Sequence, residues 1–314
     1  MIILAILNII LILLSLKYVW WYPNANMNKT RIMMYHMITE QLPGKKKSGL
    51  RVSPEMFEKH LEYFSNNGWR FIKMSELDSY KDEDKVVAIT FDDGYLDNYT
   101  EALPLLKKYN ACATLYLVID RYNNDWSVKK NPKHNSGDLA KEKKLTDGHI
   151  QEMLDSGIFE LGGHTISHPY LPNTPLNHKK HEIIECKNIL ESKFNTTVSS
   201  FAYPFGVYGD EDIDIIKTSN YESAVTTDEG VAESNSIFQL KRIKASGKDN
   251  FFAFNLFISC FGSIWSRICS RSSRCDIVIW SRICSSSSRC DIITRFWLFD
   301  GSYCFWYLRN YHGF

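Results

Sequence analysis

Val86-Val87-Ala88-Ile89-Thr90-Phe91-Asp92-Asp93-Gly94-Tyr95 is the stretch on which the reading of the fold turns. Its first six residues are mostly β-branched or aromatic, the composition of a buried strand. That strand runs straight into two carboxylates. Side by side next to a core, Asp92 and Asp93 repel each other. A divalent cation would relieve the repulsion and leave one carboxylate free as a base. A second stretch, Gly162-Gly163-His164-Thr165-Ile166-Ser167-His168, places two imidazoles four residues apart at the end of another strand. One Asp oxygen and two His nitrogens make a three-ligand site with an open position for water, the donor set of hydrolytic zinc centres. A third strand closes in Tyr203-Pro204. Taken singly these signals are weak, since Asp-Asp-Gly also serves ordinary turns.

Outward from these stretches, strand and helix patterns alternate. Arg31–Tyr35 reads as a short strand, and Ser53-Pro54 starts a helix whose apolar face is Met56, Phe57, His60, Leu61 and Phe64. Strands follow at 71–72, 86–91, 112–119, 159–162, 200–204, 223–227 and 240–243, with helices at 98–109, from Thr146, at 180–194 and at 212–219. Residues 120–144 read as a polar surface insertion, and Lys179 and Lys180 as a solvated helix face. His134, His149, His178 and His181 read as surface residues and His36 as a structural strand-end histidine. The alternation argues for an α/β fold with a parallel sheet. The candidate chemical groups sit just after strands, where a barrel keeps its active site. Pattern alone leaves an open doubly wound sheet as the alternative.

Three segments, in order, resemble the polysaccharide deacetylase family with the NodB-homology domain, carbohydrate esterase family 4. They are Thr90-Phe91-Asp92-Asp93-Gly94-Tyr95, His164-Thr165-Ile166-Ser167-His168 and Phe201-Ala202-Tyr203-Pro204-Phe205-Gly206. Arg31-Ile32-Met33-Met34-Tyr35-His36 and Leu240-Lys241-Arg242-Ile243 look like the branch that deacetylates poly-N-acetylglucosamine. The resemblance spans 31–258 and implies a distorted, incomplete (β/α) barrel. It implies that Asp93, His164 and His168 hold a divalent metal, zinc foremost, with cobalt, nickel or iron as alternatives. It implies Asp92 as general base and a backbone N–H near Tyr203 as an oxyanion donor, the turn being fixed by Pro204 and Gly206. Many members carry Arg where Ala202 stands. Arg242 is expected to take over the orienting of Asp92, and its loss to cost activity more than stability. The family's late Leu-x-His motif, which supplies a general-acid histidine, has no clear match, and His312 is a poor candidate.

Composition bounds the rest. The chain has 314 residues, 14% of them aromatic, and a net charge of +1, which suggests no nucleic-acid partner. Residues 1–22 are apolar apart from Asn8, Ser15 and Lys17 and end in a Trp/Tyr cluster, enough to cross a bilayer as an anchor or uncleaved signal. Residues 23–30 read as a linker. Lys17, Lys29 and Arg31 follow the apolar run, so a positive-inside count puts the domain in the cytoplasm. The resemblance implies the outer or periplasmic face instead, and we follow the resemblance.

The segment 259–314 departs from the rest. Through Lys248 there are 25 Lys and 5 Arg; beyond it there are 7 Arg and neither Lys nor Glu. Ile-Trp-Ser-Arg-Ile-Cys from Ile264 returns from Ile279, a repeat of period 15. We read a frameshifted or repeat-expanded tail, the alternative being a small Cys-stapled or metal-binding appendix.

The expected function is a membrane-anchored, metal-dependent hydrolase removing N-acetyl groups from a cell-envelope or biofilm polysaccharide. The alternatives are a deacetylase of peptidoglycan or of a lipid-linked sugar, or an impaired carbohydrate-binding remnant.

Overall fold

A computed structural model describes residues 29–79, 85–122, 139–232 and 236–260, together with three short strands further on. The expected membrane helix (1–22) and most of the linker lie outside the described residues, as do His134, His312 and most of the repeat. Among the described residues no helix is long and apolar enough to cross a membrane. The chain divides into two compact units, the first ending at Gly262 and the second beginning at Ser263. In the second unit, Cys275–Trp280, Ile293–Phe299 and Tyr303–Phe305 form a three-stranded antiparallel sheet.

The first unit is built on one parallel sheet. Its strands are β1 (Arg31–Tyr35), β4 (Arg70–Ile72), β5 (Val86–Asp92), β6 (Ala113–Leu117), β7 (Phe159–Gly163), β8 (Ser200–Ala202), β9 (Ser223–Glu229) and β10 (Leu240–Lys244). Two short strands, β2 (Met37–Ile38) and β3 (Arg51–Val52), pair separately. The order is β1-β10-β9-β8-β7-β6-β5-β4, and β1 also pairs with β5. That pairing, Arg31 with Val87 through Tyr35 with Phe91, closes a ring of seven strands. β4 pairs with β5 at Val86 to Ala88 and β6 from Ile89 onward, so both use one edge of β5. The barrel expectation holds, and closure excludes an open sheet.

Alternation along β5 sorts its side chains. Val86 and Ala88 cluster with Ile32, Tyr116, Ala202, Val225 and Leu240 inside the ring. Val87, Ile89 and Phe91 pack outward against helices, meeting Phe57, Leu61, Leu103 and Leu106. Thr90 and Asp92 share the inward phase, so the first carboxylate points into the barrel.

Pro54–Asn66 begins as its sequence predicts, with Ser53 accepting from the Met56 N–H and Pro at the first turn. It buries Phe57, His60, Leu61 and Phe64. Its partner is the helix Phe251–Cys260. Phe254 stacks on His60 with ring centroids 3.8 Å apart, and the Tyr35 hydroxyl lies 2.9 Å from His60 Nδ1. The pKa of His60 falls to about 3 because burial disfavours its charged form.

Two surface expectations fail. Lys179 is buried, its ammonium 3.2 Å from Glu211 and 3.3 Å from the fully buried Asp212. The partners come from Asp210–Thr218, which sequence spacing on one helix could not reveal. Lys180 is exposed as expected. The end of the supposed insertion also turns inward: Lys144 bridges to Tyr95 antiparallel, its amine 3.3 Å from the Tyr95 ring centroid.

His60 gives a pH test. Its folded pKa lies below the unfolded value near 6.5, so the unfolded chain takes up the proton first as pH falls. The stability present above pH 6.5 is then lost progressively toward pH 3. Wild type should lose stability relative to His60→Gln between pH 6.5 and 5, by at most roughly 1.4 kcal/mol per pH unit. Urea titrations at each pH measure this; parallel curves for the two proteins would refute it.

Candidate metal centre

β5 ends at Asp92, and the chain then turns through Asp93 (φ 77°) and Gly94 (φ 85°). The left-handed backbone at Asp93 is uncommon for a residue with a Cβ. It is held by the Asp93 N–H donating to Tyr116 O at 3.1 Å and the Gly94 N–H to Asp92 O at 3.0 Å. The φ of 85° at Gly94 strains any residue with a Cβ, and a Cβ there would also push Leu117 Cδ1, 2.6 Å away, aside. The turn sends the two carboxylates apart: Asp92 stays inside the ring, and Asp93 faces the end of β7.

β7 runs through Gly162 and Gly163 into His164. A Cβ on Gly162 would lie 2.3 Å from the Tyr116 ring, so the glycines let β7 pass the barrel interior. His164 Nδ1 hydrogen-bonds Ala202 O at 2.7 Å, which leaves Nε2 toward Asp93 Oδ1 at 3.4 Å. His168 Nε2 lies 3.7 Å from the same oxygen. Asp93, His164 and His168 are all buried, and their donor atoms lie within 4.8 Å of one another. Asp93 Oδ2 is buried without a hydrogen-bond partner.

This donor set fits a divalent cation. Two imidazole nitrogens and one carboxylate converge, one imidazole is fixed in the required tautomer, and a buried oxygen wants a partner. Burial acts to raise the Asp93 pKa, but the hydrogen bond with His164 and the nearby His36 and His168 hold it well below the usual carboxylate range. Burial acts to lower that of His164, and the two aspartates reverse this, so it rises.

Arg242 reaches the first aspartate from β10. Its Nη1 and Nη2 donate to the two oxygens of Asp92, each at 2.7 Å. Nη1 also donates to Thr90 Oγ1 at 3.1 Å and Nε to Thr226 O at 2.8 Å. The planar fork fixes the plane of the carboxylate. Burial alone would raise the Asp92 pKa; the Arg242 charge and hydrogen bonds outweigh it and lower it.

Tyr203 follows β8 directly. Its N–H donates to Val225 O at 3.2 Å and its hydroxyl to Phe238 O at 3.1 Å. Both of its own donors are thus engaged with backbone carbonyls, so the expected backbone N–H near Tyr203 is not that of Tyr203 itself. Pro204 and Gly206 do shape the turn, the Gly206 N–H donating to Tyr203 O at 2.8 Å. Phe205 sits at φ 57° with its ring edge-on to His168, centroids 4.5 Å apart.

His36 is the residue the sequence reading undervalued. It follows β1, and ring closure beside β5 brings it into the field of both aspartates. Burial lowers its pKa to about 4 against the pull of Asp93 and Asp92, with Lys244 and Arg242 adding to the fall. The Asn98 side chain donates to His36 O at 2.9 Å, and Asp97 accepts from the Ile38 N–H at 2.8 Å. The segment carrying His36 is thus pinned to the segment that follows the aspartates. The available signal was its position just after a strand, shared with Asp93, His164 and Tyr203.

The Asp92–Arg242 pair is almost fully buried, which corrects the expectation that losing Arg242 would cost mainly activity. Arg242→Ala should destabilise the fold by about 3–5 kcal/mol, since it strands a buried carboxylate. Arg242→Lys keeps the charge and loses the fork, so it should cost less stability. Asp92→Asn added to Arg242→Ala should recover part of the loss. Denaturant midpoints decide this, and an unchanged midpoint for Arg242→Ala would count against the pairing.

The family model for polysaccharide deacetylase matches residues 79–224. The Bacillus subtilis protein YxkH is 28% identical over 244 residues, 76% of this chain and 79% of that one. The poly-beta-1,6-N-acetyl-D-glucosamine N-deacetylase of Staphylococcus aureus is 24% identical over 200 residues, 59% of this chain and 64% of the relative. The Streptococcus pyogenes deacetylase PplD, solved in complex with acetate, superposes with a TM-score of 0.62 at 27% identity, over 74% of this chain and 99% of that one. The two aspartates, the histidine pair and Tyr203 all lie within the residues that match, and over 79–224 the chain is similar to the polysaccharide deacetylase family.

Proposed function

We propose that this protein is a metal-dependent N-deacetylase acting on a polymer of N-acetylated amino sugars. The observation that carries the reading is one barrel mouth holding a buried Asp-His-His donor set beside a second aspartate clamped by an arginine. Zinc is the metal we favour, for its match to mixed nitrogen and oxygen donors. When bound, it polarises the amide carbonyl and makes water a nucleophile near neutral pH.

The chain's own groups do the rest. Asp93, His164 and His168 hold the cation. Asp92, ionised across the neutral range, accepts the proton of the attacking water, and Arg242 keeps its plane aimed. The C–N bond breaks, the hydroxyl ends on the acetyl carbon, and the amine nitrogen must gain a proton. His36 faces the aspartates from β1 and stays neutral at pH 7, so it can take up that proton and pass it to the departing amine. It fills the acid role for which no late Leu-x-His motif was found.

The Staphylococcus aureus relative supports a poly-N-acetylglucosamine substrate. The apolar segment 1–22 supports a membrane-held enzyme, and a polysaccharide substrate like that of the relative supports a barrel on the outer face.

The test is acetate release from N-acetylglucosamine oligomers by the full chain, stripped with chelator and then given zinc. Release should vanish on stripping and return with metal. Asp92→Asn should lower turnover by roughly 100-fold or more, and His36→Ala by roughly 10- to 100-fold with zinc affinity kept. Metal-independent release would sink the reading, as would His36→Ala turning over like wild type for that residue's role.

A further inference from the structure

The segment from His164 to His168 has to hold both imidazoles on one cation, yet it is an awkward piece of backbone. Thr165 and His168 are both left-handed, at φ 67° and φ 57°. Such residues persist only where the surroundings over-determine them. Part of the restraint is internal: the Thr165 hydroxyl donates to His164 O at 2.5 Å and accepts from the His168 N–H at 3.0 Å. One rim of the loop is satisfied by the chain after β6, with the Ile119 N–H donating to Thr165 O at 3.3 Å and the Asp120 N–H to Ile166 O at 2.8 Å.

The opposite rim is met by Glu182. Glu182 Oε2 accepts from the Ile166 N–H at 2.8 Å and the Ser167 N–H at 2.9 Å, and Oε1 accepts from Ser167 Oγ at 2.5 Å. His178 Nε2 lies 3.3 Å from Oε1, one turn back on the same helical run. The carboxylate is 2% exposed. It is delivered by His181–Glu185, a π-type turn set between Leu176–Lys180 and Cys186–Phe194. Lys179, three residues earlier, anchors that run to Glu211 and Asp212.

We propose that Glu182 is a positioning residue for the metal centre: its reach across the loop sets the separation of His164 and His168. This rests on the metal-centre reading above. Reach and charge are separable here. Glu182→Gln keeps the length and an acceptor oxygen for the two N–H groups, while its amide can face Ser167 Oγ, whose hydroxyl can rotate to accept. Glu182→Asp keeps the charge and draws the oxygens back by one methylene.

The experiment compares the two variants and Glu182→Ala as full-length, metal-free chains, reading three quantities. These are zinc affinity by chelator competition, the visible spectrum with cobalt(II), and amide hydrogen exchange at Ile166 and Ser167. Positioning by reach predicts that Glu182→Asp and Glu182→Ala lose roughly 10- to 100-fold in zinc affinity, alter the cobalt spectrum and expose both amides to exchange. Glu182→Gln should stay within about threefold of wild type with its cobalt spectrum retained. The reverse ranking, with Asp close to wild type and Gln impaired, overturns the proposal in favour of a charge effect. Lost amide protection with unchanged zinc affinity and cobalt spectrum overturns it too, leaving a merely structural contact. If Glu182→Ala does not fold, the Asp and Gln pair decides alone. Wild type that binds neither zinc nor cobalt overturns the metal-centre reading itself, a result no Glu182 variant can mimic.

Discussion

Two carboxylates side by side at the end of a buried strand are the constraint around which this barrel mouth is organised. Neither Asp92 nor Asp93 has solvent to disperse its charge, and an isolated buried carboxylate would take up a proton instead. The fold answers by separating them. The left-handed turn at Asp93 and Gly94 leaves one aspartate inside the ring and aims the other at the neighbouring strand end. Asp92 receives the guanidinium of Arg242, and Asp93 receives the imidazoles of His164 and His168. The two negative charges thus acquire different chemistry: one is clamped and oriented, the other keeps an oxygen without a hydrogen-bond partner.

That division depends on ring closure. Arg242 lies 150 residues from Asp92 in sequence, and His36 enters from the first strand. Both reach the site only because β1 pairs with β5 on one side and β10 on the other. An open sheet of the same strands would leave Asp92 without its partner. The buried ion pair is therefore weak evidence of extra stability and good evidence of specification, because only the closed arrangement satisfies it.

Much of this was legible before the structure. β5 could be read from its composition, the Asp and His pairs from their positions after strands, and Arg242 from a resemblance in its local segment. Local patterns carried these, since each is written within a few consecutive residues. What stayed hidden was set by contacts between distant elements. His36 looked structural because nothing near it in sequence names a partner. Lys179 looked solvated because its acidic partners sit on a later helix. Lys144 looked like part of a surface insertion, although the chain returns to lie against Tyr95. Glu182 resembled any acidic helix residue, yet its carboxylate takes up the backbone of the loop that carries His164 and His168. Nor does the local segment of Tyr203 show that its own N–H and hydroxyl are taken by the distant carbonyls of Val225 and Phe238.

The departure at Ala202 has a physical explanation in the same geometry. An arginine there would have Asp92 to orient, but both oxygens of Asp92 are already taken by the fork of Arg242. The Arg242 guanidinium also lies 5.7 Å over the Tyr116 ring, inside the ring of strands. Ala202 is fully buried in the same interior cluster as Tyr116. A second guanidinium at that position would need room in a closed interior and a countercharge that the described residues there do not supply, and would be costly to bury unpaired. The small side chain at 202 and the arginine at 242 are therefore one solution. Its backbone half is the Ala202 carbonyl, which fixes the tautomer of His164 while Arg242 fixes the plane of Asp92.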